Sequence, residues 1–479
     1  MATKRIHSVY IIGFLLFGFV IGVWMSQFQL IISSSNLWII TSVVLLSGAF
    51  ITKTRFALVL ALIGGFVLGG WRAGITYIDS LELKNMIGTS QQIKGKVAED
   101  TEQKANGLNF KLNTIQINDK HYEGVIIVDT KSKIELKRGD ELVLQGKLEK
   151  GFASFGSVIH NAKLLNLNQL SSYDSAIEIR DNFSDKIKQH INEPASSLGL
   201  GFLFGQKNNL PSDLLLALQI TGLTHIIVAS GYNLTILVRI IRKLFLKISK
   251  YTSTIVTLFM ILGFVSLTGF SPSMNRAAIV AMLSLGAWYY GRKIHPVVLI
   301  LIAMAITLAI DPSMAWGNLG WELSFLSFAG IMIVSPVITK YFYGHHKPKI
   351  LGRIVIETIS ATMMTAPLII FTFGYVSTVS VVTNILILPC IPFAMLGTFL
   401  TALLGFINVN LGHFMGLITD SLFKYILIVI NYFGGLDLSK LSFDINITQL
   451  IAIYLCIAAV FFYMKTKTKT KLEDYNIVD

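Results

Sequence analysis

The chain has 479 residues, 53% of them hydrophobic and 14% charged. A soluble domain with that balance would expose large apolar patches, so the composition excludes an ordinary soluble enzyme and points to lipid as the solvent. The formal charge of +13 invites a nucleic-acid partner, but the basic residues sit mainly in short loops between apolar segments, where membrane topology already accounts for them.

Taken along the chain, Lys4 and Arg5 precede an apolar run from Val9 to Val23. This has the shape of a signal peptide without a clear small-residue cleavage site, and it reads as a retained first span. Apolar segments near residues 9–27, 36–51 and 56–78 predict three spans in a membrane region covering 1–79. From Ser80 to Leu165 short alternating runs such as "QIKGKVAED", "GLNFKLNTIQI" and "RGDELVLQGKLEK" are separated by Gly, Asn, Asp and Lys turns. Five such strands fit a small all-β barrel of the OB type, placed at 80–170. It holds 13 Lys and Arg against 11 Asp and Glu, too even for a strong field toward DNA. Phe110, Tyr122, Phe152 and Phe155 are its candidates for stacking on bases, with core packing the simpler alternative.

Region 171–222 opens with Ile179, Phe183, Ile187 and Ile191, spaced by four with charges between them, which predicts an amphipathic helix resting on the bilayer. Two short, partly buried helices follow around "GQKNNLPSD". Nine further spans are predicted in 223–464, near 224–241, 252–270, 274–291, 295–310, 320–338, 354–374, 377–404, 410–433 and 446–464. Between Thr358 and Thr419 there is no Asp, Glu, Lys or Arg, a length with room for two or three crossings. Alternate loops and the tail 465–479 are rich in Lys and Arg: 19 such residues fall on one side, while the opposite loops of the nine-span core offer Arg276 and Lys440. That asymmetry predicts cytoplasmic termini and an extracytoplasmic barrel. The expected fold is thus a polytopic α-helical membrane protein of about twelve spans with a small OB-like domain outside.

Polar residues inside apolar spans are the candidates for function, because each is costly in lipid unless paired or wetted. In "TGLTHIIVASGYNLTILV" (221–238) these are His225, Ser230 and Asn233. On a helix, His225 and Ser230 would point about 140° apart, which argues against a nucleophile and base pair. Gly231 is positioned to break the helix beside a wet cavity; packing through small residues is the structural alternative. In "TGFSPSMNRAAIV" (268–280), Pro272 opens a helix whose start carries Ser271, Ser273, Asn275 and Arg276. The helix dipole adds to the positive potential at Arg276, which suits a polyanion or a buried carboxylate, although snorkelling to the headgroups explains an arginine near a span end equally well. In "DPSMAWGNLGWELSFLSFAG" (311–330), Glu322 and Ser324 lie just inside a span after Asp311 and Asn318, and Arg276 is the partner to test first for Glu322. Asp420 and Lys424, at i,i+4, are expected to pair with each other. Asn384 followed by Pro389 and Pro392 predicts a kink. Cys390 and Cys456 both sit in apolar segments and read as packing residues. There is no phosphate-binding Gly-rich loop and no HExxH, so neither a nucleotide, a metal nor another cofactor is expected, and no catalytic residue is assigned.

The ordered segments "LGFLFGQKNNLPSDLLLALQITGLTHIIVASGYN", "GFSPSMNRAAIVAMLSLGAWYYGR" and "DPSMAWGNLGWELSFLSF" resemble the competence domain of the ComEC family of DNA-uptake proteins. The preceding apolar segments and barrel match that family's amino-terminal part, so the likeness runs from about residue 10 to 464. It implies a non-enzymatic inner-membrane channel for single-stranded DNA, with His225, Ser230, Gly231, Asn233, Ser273, Asn275, Arg276, Glu322 and Ser324 as candidates for the DNA path. It also implies membrane lipid as the solvent, a separate DNA receptor, nuclease and cytoplasmic motor as partners, and room for a homo-oligomer. Two departures stand out. The family's usual SGLH pattern is here Ser230, Gly231, Tyr232, Asn233, and the chain stops after a Lys-rich tail where many members continue into a metallo-β-lactamase-like domain; strand degradation is therefore expected from another protein. The rival readings are a small-solute or ion-coupled transporter, which would use Glu322, Glu357 and Asp420, and an intramembrane hydrolase.

Overall fold

A computed structural model describes residues 7–28, 35–104, 107–131, 134, 136–151, 157–168, 175–206, 210–227, 231–269, 271–344, 346 and 348–470. The chain forms two compact units, Met1–Ser175 with Val297–Glu322, and Ala176–Pro296 with Leu323–Asp479.

The first unit opens with α1 (Ser8–Met25), α2 (Asn36–Thr52) and α3 (Arg55–Asn85). The side chains of His7 and Ser35 accept backbone N–H groups at the starts of α1 and α2, satisfying donors that lipid cannot. In lipid the helices gain nothing from apolar burial alone, so close packing must come from small residues. Two near-identical pentapeptides provide it: Gly18-Phe-Val-Ile-Gly22 on α1 and Gly65-Phe-Val-Leu-Gly69 on α3. A methyl group at Gly65 would lie 2.0 Å from the Leu15 carbonyl oxygen and one at Gly69 2.1 Å from that of Phe19, while Gly18 and Gly22 meet the Leu62 and Phe66 carbonyls at 2.2 and 2.1 Å. Rising numbers on one helix meet rising numbers on the other, so the two run parallel with bare backbone between them. Ser42 of α2 donates to the Gly64 carbonyl at 2.8 Å and adds the third helix.

At 31 residues, α3 is far longer than the bilayer core requires. Its end enters the barrel, where Leu83 joins the apolar core. The barrel comprises β1 (Ser90–Val97), β2 (Glu102–Lys104), β3 (Gly107–Ile117), β4 (Lys120–Tyr122), β5 (Ile126–Thr130), β6 (Glu141–Lys150), β7 (Ser157–Ile159) and β8 (Lys163–Asn168). Five of these close on themselves in the order β1-β3-β5-β7-β6-β1, with β5 and β7 parallel and the other neighbours antiparallel; β2 and β4 flank β3, and β8 flanks β6. Asn118 and Asp119, both at positive φ, make the two-residue turn between β3 and β4, a conformation these residues tolerate. Alternation puts Ile93, Leu112, Ile126, Leu144 and Ile159 inside. It also puts Phe110 and Tyr122 inside, at 3% and 6% exposure. Their expected role in base stacking is thereby corrected: rings that fill the core have no free face for a base. Phe152 and Phe155 lie outside the described residues.

The second unit begins with α4 (Ser175–His190), α5 (Ala195–Phe204), α6 (Ser212–Ile220), α7 (Thr224–Ile227), α8 (Gly231–Leu246), α9 (Lys250–Thr268) and α10 (Pro272–Tyr289). Helix α4 lies where the spacing predicts, but the face expected on the bilayer is largely taken by protein. Ile187 and Ile191 join an apolar core, Phe183 stacks on Phe399 and meets Phe406 edge-on, and only Ile179 stays exposed. Every residue of α5 is buried, more than the partial burial expected there.

Helix α11 (Pro296–Ile310) and the turn after it return to the first unit. Then come α12 (Leu319–Ala329), which runs through a π turn at Gly330–Val334 into α13 (Ser335–Tyr343), α14 (Ile350–Phe373), β9 (Tyr375–Ser377), α15 (Ser380–Ile387), α16 (Ile391–Ile407), α17 (Val409–Gly434), β10 (Lys440–Ser442) and α18 (Ile447–Thr468). Gly330 packs against the Ser360 carbonyl of α14, which accounts for the irregular turn there. The break predicted near Pro389 and Pro392 is a short 3-10 turn, Leu388–Cys390, between α15 and α16.

Among the described residues eight helices are long and apolar enough to cross a membrane: α1 with its 3-10 extension, α3, α9, α12 with α13, α14, α15 with α16, α17 and α18. The other expected spans differ for identifiable reasons. Helices α2 and α11 are apolar but short, the described parts of 224–241 are α7 and the start of α8, and α10 carries Asn275 and Arg276 in its first turns. Gly69→Ala and Gly22→Ala each force α1 from α3 by more than side-chain adjustment can absorb. Each is expected to cost about 1–3 kcal/mol, the usual penalty of overpacking, read as a lower thermal-aggregation midpoint of the purified protein. Gly48→Ala, whose added methyl meets only the far end of Leu60, leaves that midpoint unchanged.

Candidate functional site

The candidate residues collect where helices break in the second unit. Ser230 lies outside the described residues. His225 sits in α7 with an exposed side chain, hydrogen-bonded to the backbone of Gly222. Gly222 is at φ +72°, and its turn rests on the start of α15, where a methyl on it would come 2.7 Å from Ser380 Cβ. Thr383 of α15 donates to the Thr221 carbonyl at 2.9 Å, so a carbonyl freed by the end of α6 is satisfied from a neighbouring helix.

Gly231 opens α8 and faces α10 directly. A methyl on Gly231 would lie 2.9 Å from Ala277 Cβ and 3.1 Å from an Arg276 Nη atom. Two residues on, Asn233 is fully buried; its Nδ2 donates to the Phe202 carbonyl at 2.9 Å and its Oδ1 has no hydrogen-bond partner. Helices α8, α9 and α10 pack around Leu234, Ile261, Phe264, Met274, Ala277 and Ala278, and that cluster fixes Gly231 against Arg276.

The start of α10 is built as its sequence predicts. Ser271 caps it by accepting the Met274 N–H at 3.3 Å, Pro272 occupies the first turn, and the Ser273 hydroxyl lies 3.4 Å from that of Ser271. Asn275 donates its backbone N–H to Ser271. Arg276, one turn in, is partly buried, and its guanidinium carbon lies 4.9 Å from the centroid of the Phe328 ring of α12. Its Nε is buried without a partner, and among the described residues no carboxylate pairs with it. Within its own unit the guanidinium has a cation–π contact, which attracts the charge without cancelling it.

The third motif divides. Ser324 lies on α12 with its hydroxyl buried and unpartnered. Glu322 falls in the first unit, half-buried in the first turn of α12, where its N–H donates to the Asn318 carbonyl. The tryptophans beside it are structural: Trp316 Nε1 donates to the Val23 carbonyl at 3.1 Å and Trp321 Nε1 to the Thr307 hydroxyl at 2.9 Å. Asp420 and Lys424 pair at 3.0 Å, as their spacing predicts. Glu357 lies within electrostatic reach of Arg353 and Arg239. Phe328, Phe202 and Thr383 complete this region; the two phenylalanines carry no polar signal, and Thr383 is one hydroxyl among the many in the apolar segments.

The elements assembled above define a multi-pass membrane protein with a small β-barrel, whose second unit gathers broken helices and an unneutralised arginine. The chain belongs to the competence protein family, whose sequence model matches residues 202–467 and so takes in every motif from Phe202 to the end of α18. Over 207 residues it is 23% identical to "ComE operon protein 3" of Bacillus subtilis (strain 168), covering 42% of this chain and 26% of that protein. Over 216 residues it is 26% identical to an "Uncharacterized protein" of Aquifex aeolicus (strain VF5), covering 44% of this chain and 49% of the other. The matched region thus spans about a quarter of the first relative and about half of the second. No solved structure matches the chain.

Asn233→Leu leaves the Phe202 carbonyl without a partner inside the α5–α8 packing. It is expected to destabilise the protein by about 1–3 kcal/mol, the penalty of a stranded buried polar group, measured as a lower thermal midpoint. Tyr232→Phe, next to it but exposed, should leave the midpoint within the error of the measurement.

Proposed function

We propose that this protein is the inner-membrane channel that passes one strand of DNA into the cytoplasm during natural transformation. Membership of the competence family supports a role in DNA uptake. The observation that carries the channel itself is Arg276, held between the Gly231 backbone and the Phe328 ring with no carboxylate among the described residues to neutralise it. A sealed bundle would pair or exclude such a cation, because an uncompensated charge in lipid is expensive. A passage used by a polyanion needs scattered positive charge among polar walls, since a continuous basic lining would hold phosphates too tightly to release them.

In this reading each phosphate supplies the missing counter-charge as it passes Arg276 and takes it away on leaving. His225, Ser230, Gly231, Asn233, Ser273, Asn275, Glu322 and Ser324 form the polar remainder of the path. The four shorter or broken segments complete twelve spans with both termini in the cytoplasm, a topology favoured by the basic loops. The closed five-stranded barrel, ordered first-second-third-fifth-fourth and back to the first, supports reading it as an OB-like domain; we assign it to the outer face as a receiving module that does not use Phe110 or Tyr122 for stacking. A DNA receptor, a nuclease for the other strand and a cytoplasmic motor are separate partners.

Deleting the gene is expected to abolish entry of labelled DNA into the cytoplasm while DNA still reaches the cell surface. Arg276→Ala at unchanged protein level should lower internalised DNA about tenfold, the effect of roughly 1.4 kcal/mol of lost stabilisation in transit, with Arg276→Lys intermediate. Full internalisation without the protein would instead favour a small-solute transporter.

A further inference from the structure

Toward its C-terminal end, one face of α3 carries four polar residues at successive turns, Arg72, Thr76, Asp79 and Glu82, and all four engage the segment Lys120–Glu123 of the barrel. Arg72 Nη1 meets Glu123 Oε2 at 3.0 Å and the Thr76 hydroxyl donates to the same oxygen at 2.5 Å. Asp79 accepts the Glu123 backbone N–H at 2.9 Å, and Glu82 pairs with Lys120 at 2.5 Å.

Arg72 also reaches a third element. Its Nε and Nη2 donate to the carbonyls of Ala309 and Ile310, at 2.8 and 3.1 Å, in the last turn of α11. Those carbonyls have no acceptor role inside the helix, and the negative end of the helix dipole favours a cation there. The following turn is held as well: the Asp311 side chain accepts the Ser313 N–H and hydroxyl, and Tyr77 of α3 meets Trp316 edge-on at 6.0 Å. The "DPSMAW" motif of the sequence is thus the seat on which α3, α11 and the barrel loop converge. With α3 unbroken from Arg55 to Asn85 and Leu83 plugged into the barrel core, nothing at this joint resembles a hinge.

We propose that Arg72 is a positioning residue that fixes the barrel to α3 and to the end of α11, so that the barrel serves as a rigid port and strand entry depends on its fixed pose. The consequence for transport rests on the channel reading; the rigidity does not.

The test uses full-length protein with Cys390→Ser and Cys456→Ser. Spin labels at Lys147→Cys on β6 and Val59→Cys on α3 should give one narrow distance distribution, broadened by Arg72→Ala. In cells, Arg72→Ala at unchanged protein level should lower internalised DNA about tenfold, equivalent to roughly 1.4 kcal/mol, without changing surface-bound DNA. Arg72→Ala with Glu123→Ala should be no worse than either alone, since both break one network. A short bis-maleimide across Glu82→Cys and Lys120→Cys should restore uptake to Arg72→Ala. A narrow distribution in Arg72→Ala, undiminished uptake in that variant, or a cross-link that blocks uptake when Arg72 is intact would each overturn the proposal. If the parent protein imports no DNA while the distances behave as expected, the channel reading fails and the rigid port stands.

Discussion

Backbone contact between helices is the constraint from which the rest of this protein follows. Lipid offers no gain for hiding one apolar side chain against another, so helices must either touch closely enough for dispersion to count or share hydrogen bonds. The paired GFV(I/L)G segments of α1 and α3 take the first course, with carbonyl oxygens where a methyl group would have to go. Helices α16 and α17 repeat it: Gly397 faces Thr419, Gly412 faces Gly405, and Gly416 lies against the His190 carbonyl while the imidazole of His190 fills the notch between Gly405 and Gly412. Once helices are held this way, short or broken ones can be carried as passengers. Buried α5 rests on α16 and α17, and α6 on α17.

The second course governs polar groups, and its exceptions mark the site. Most hydroxyls in the spans donate back to a carbonyl one turn earlier, as Thr257, Ser360, Thr398 and Thr401 do. Thr383 and Asn233 reach across to other helices. Against that background the unsatisfied atoms of Asn233, Arg276 and Ser324 stand out. They lie on α8, α10 and α12, helices tied to one another through the Gly231–Arg276 and Arg276–Phe328 contacts. Other buried atoms also lack a partner among the described residues, those of His190, Ser196 and Asn384 among them; what sets Asn233, Arg276 and Ser324 apart is that they fall on helices in mutual contact, as the path proposed above would require.

Much of this was legible in the sequence, for reasons that differ by element. Hydropathy located the long helices because length and apolarity are all that a lipid span demands, and turn residues located the barrel because alternation and punctuation are local. The cap of α10 and the Asp420–Lys424 pair were legible because they join neighbours in the chain. What failed was long-range or three-dimensional. Arg276 lies over Phe328, and nothing in a phenylalanine announces that its face will meet a cation. Phe110 and Tyr122 were candidates as aromatics on a barrel, but strand register turned both inward. The GFV(I/L)G pair was readable as a small-residue repeat in two apolar segments and is the clearest signal that hydropathy alone passes over.

The two arginines show why composition cannot assign function. Arg72 and Arg276 each border a long apolar run, and each would be read as snorkelling or as a bound cation. Arg72 has its donors occupied, by two terminal carbonyls of α11, by Thr76 and by the Glu123 carboxylate. Its charge is cancelled and its geometry fixed, so it can only hold things in place. Arg276 has a ring beneath it, a bare backbone beside it and no acceptor among the described residues. The same guanidinium is structural in one setting and available in the other. The difference lies in whether acceptors converge on it, a property of the fold that no window of sequence around either residue contains.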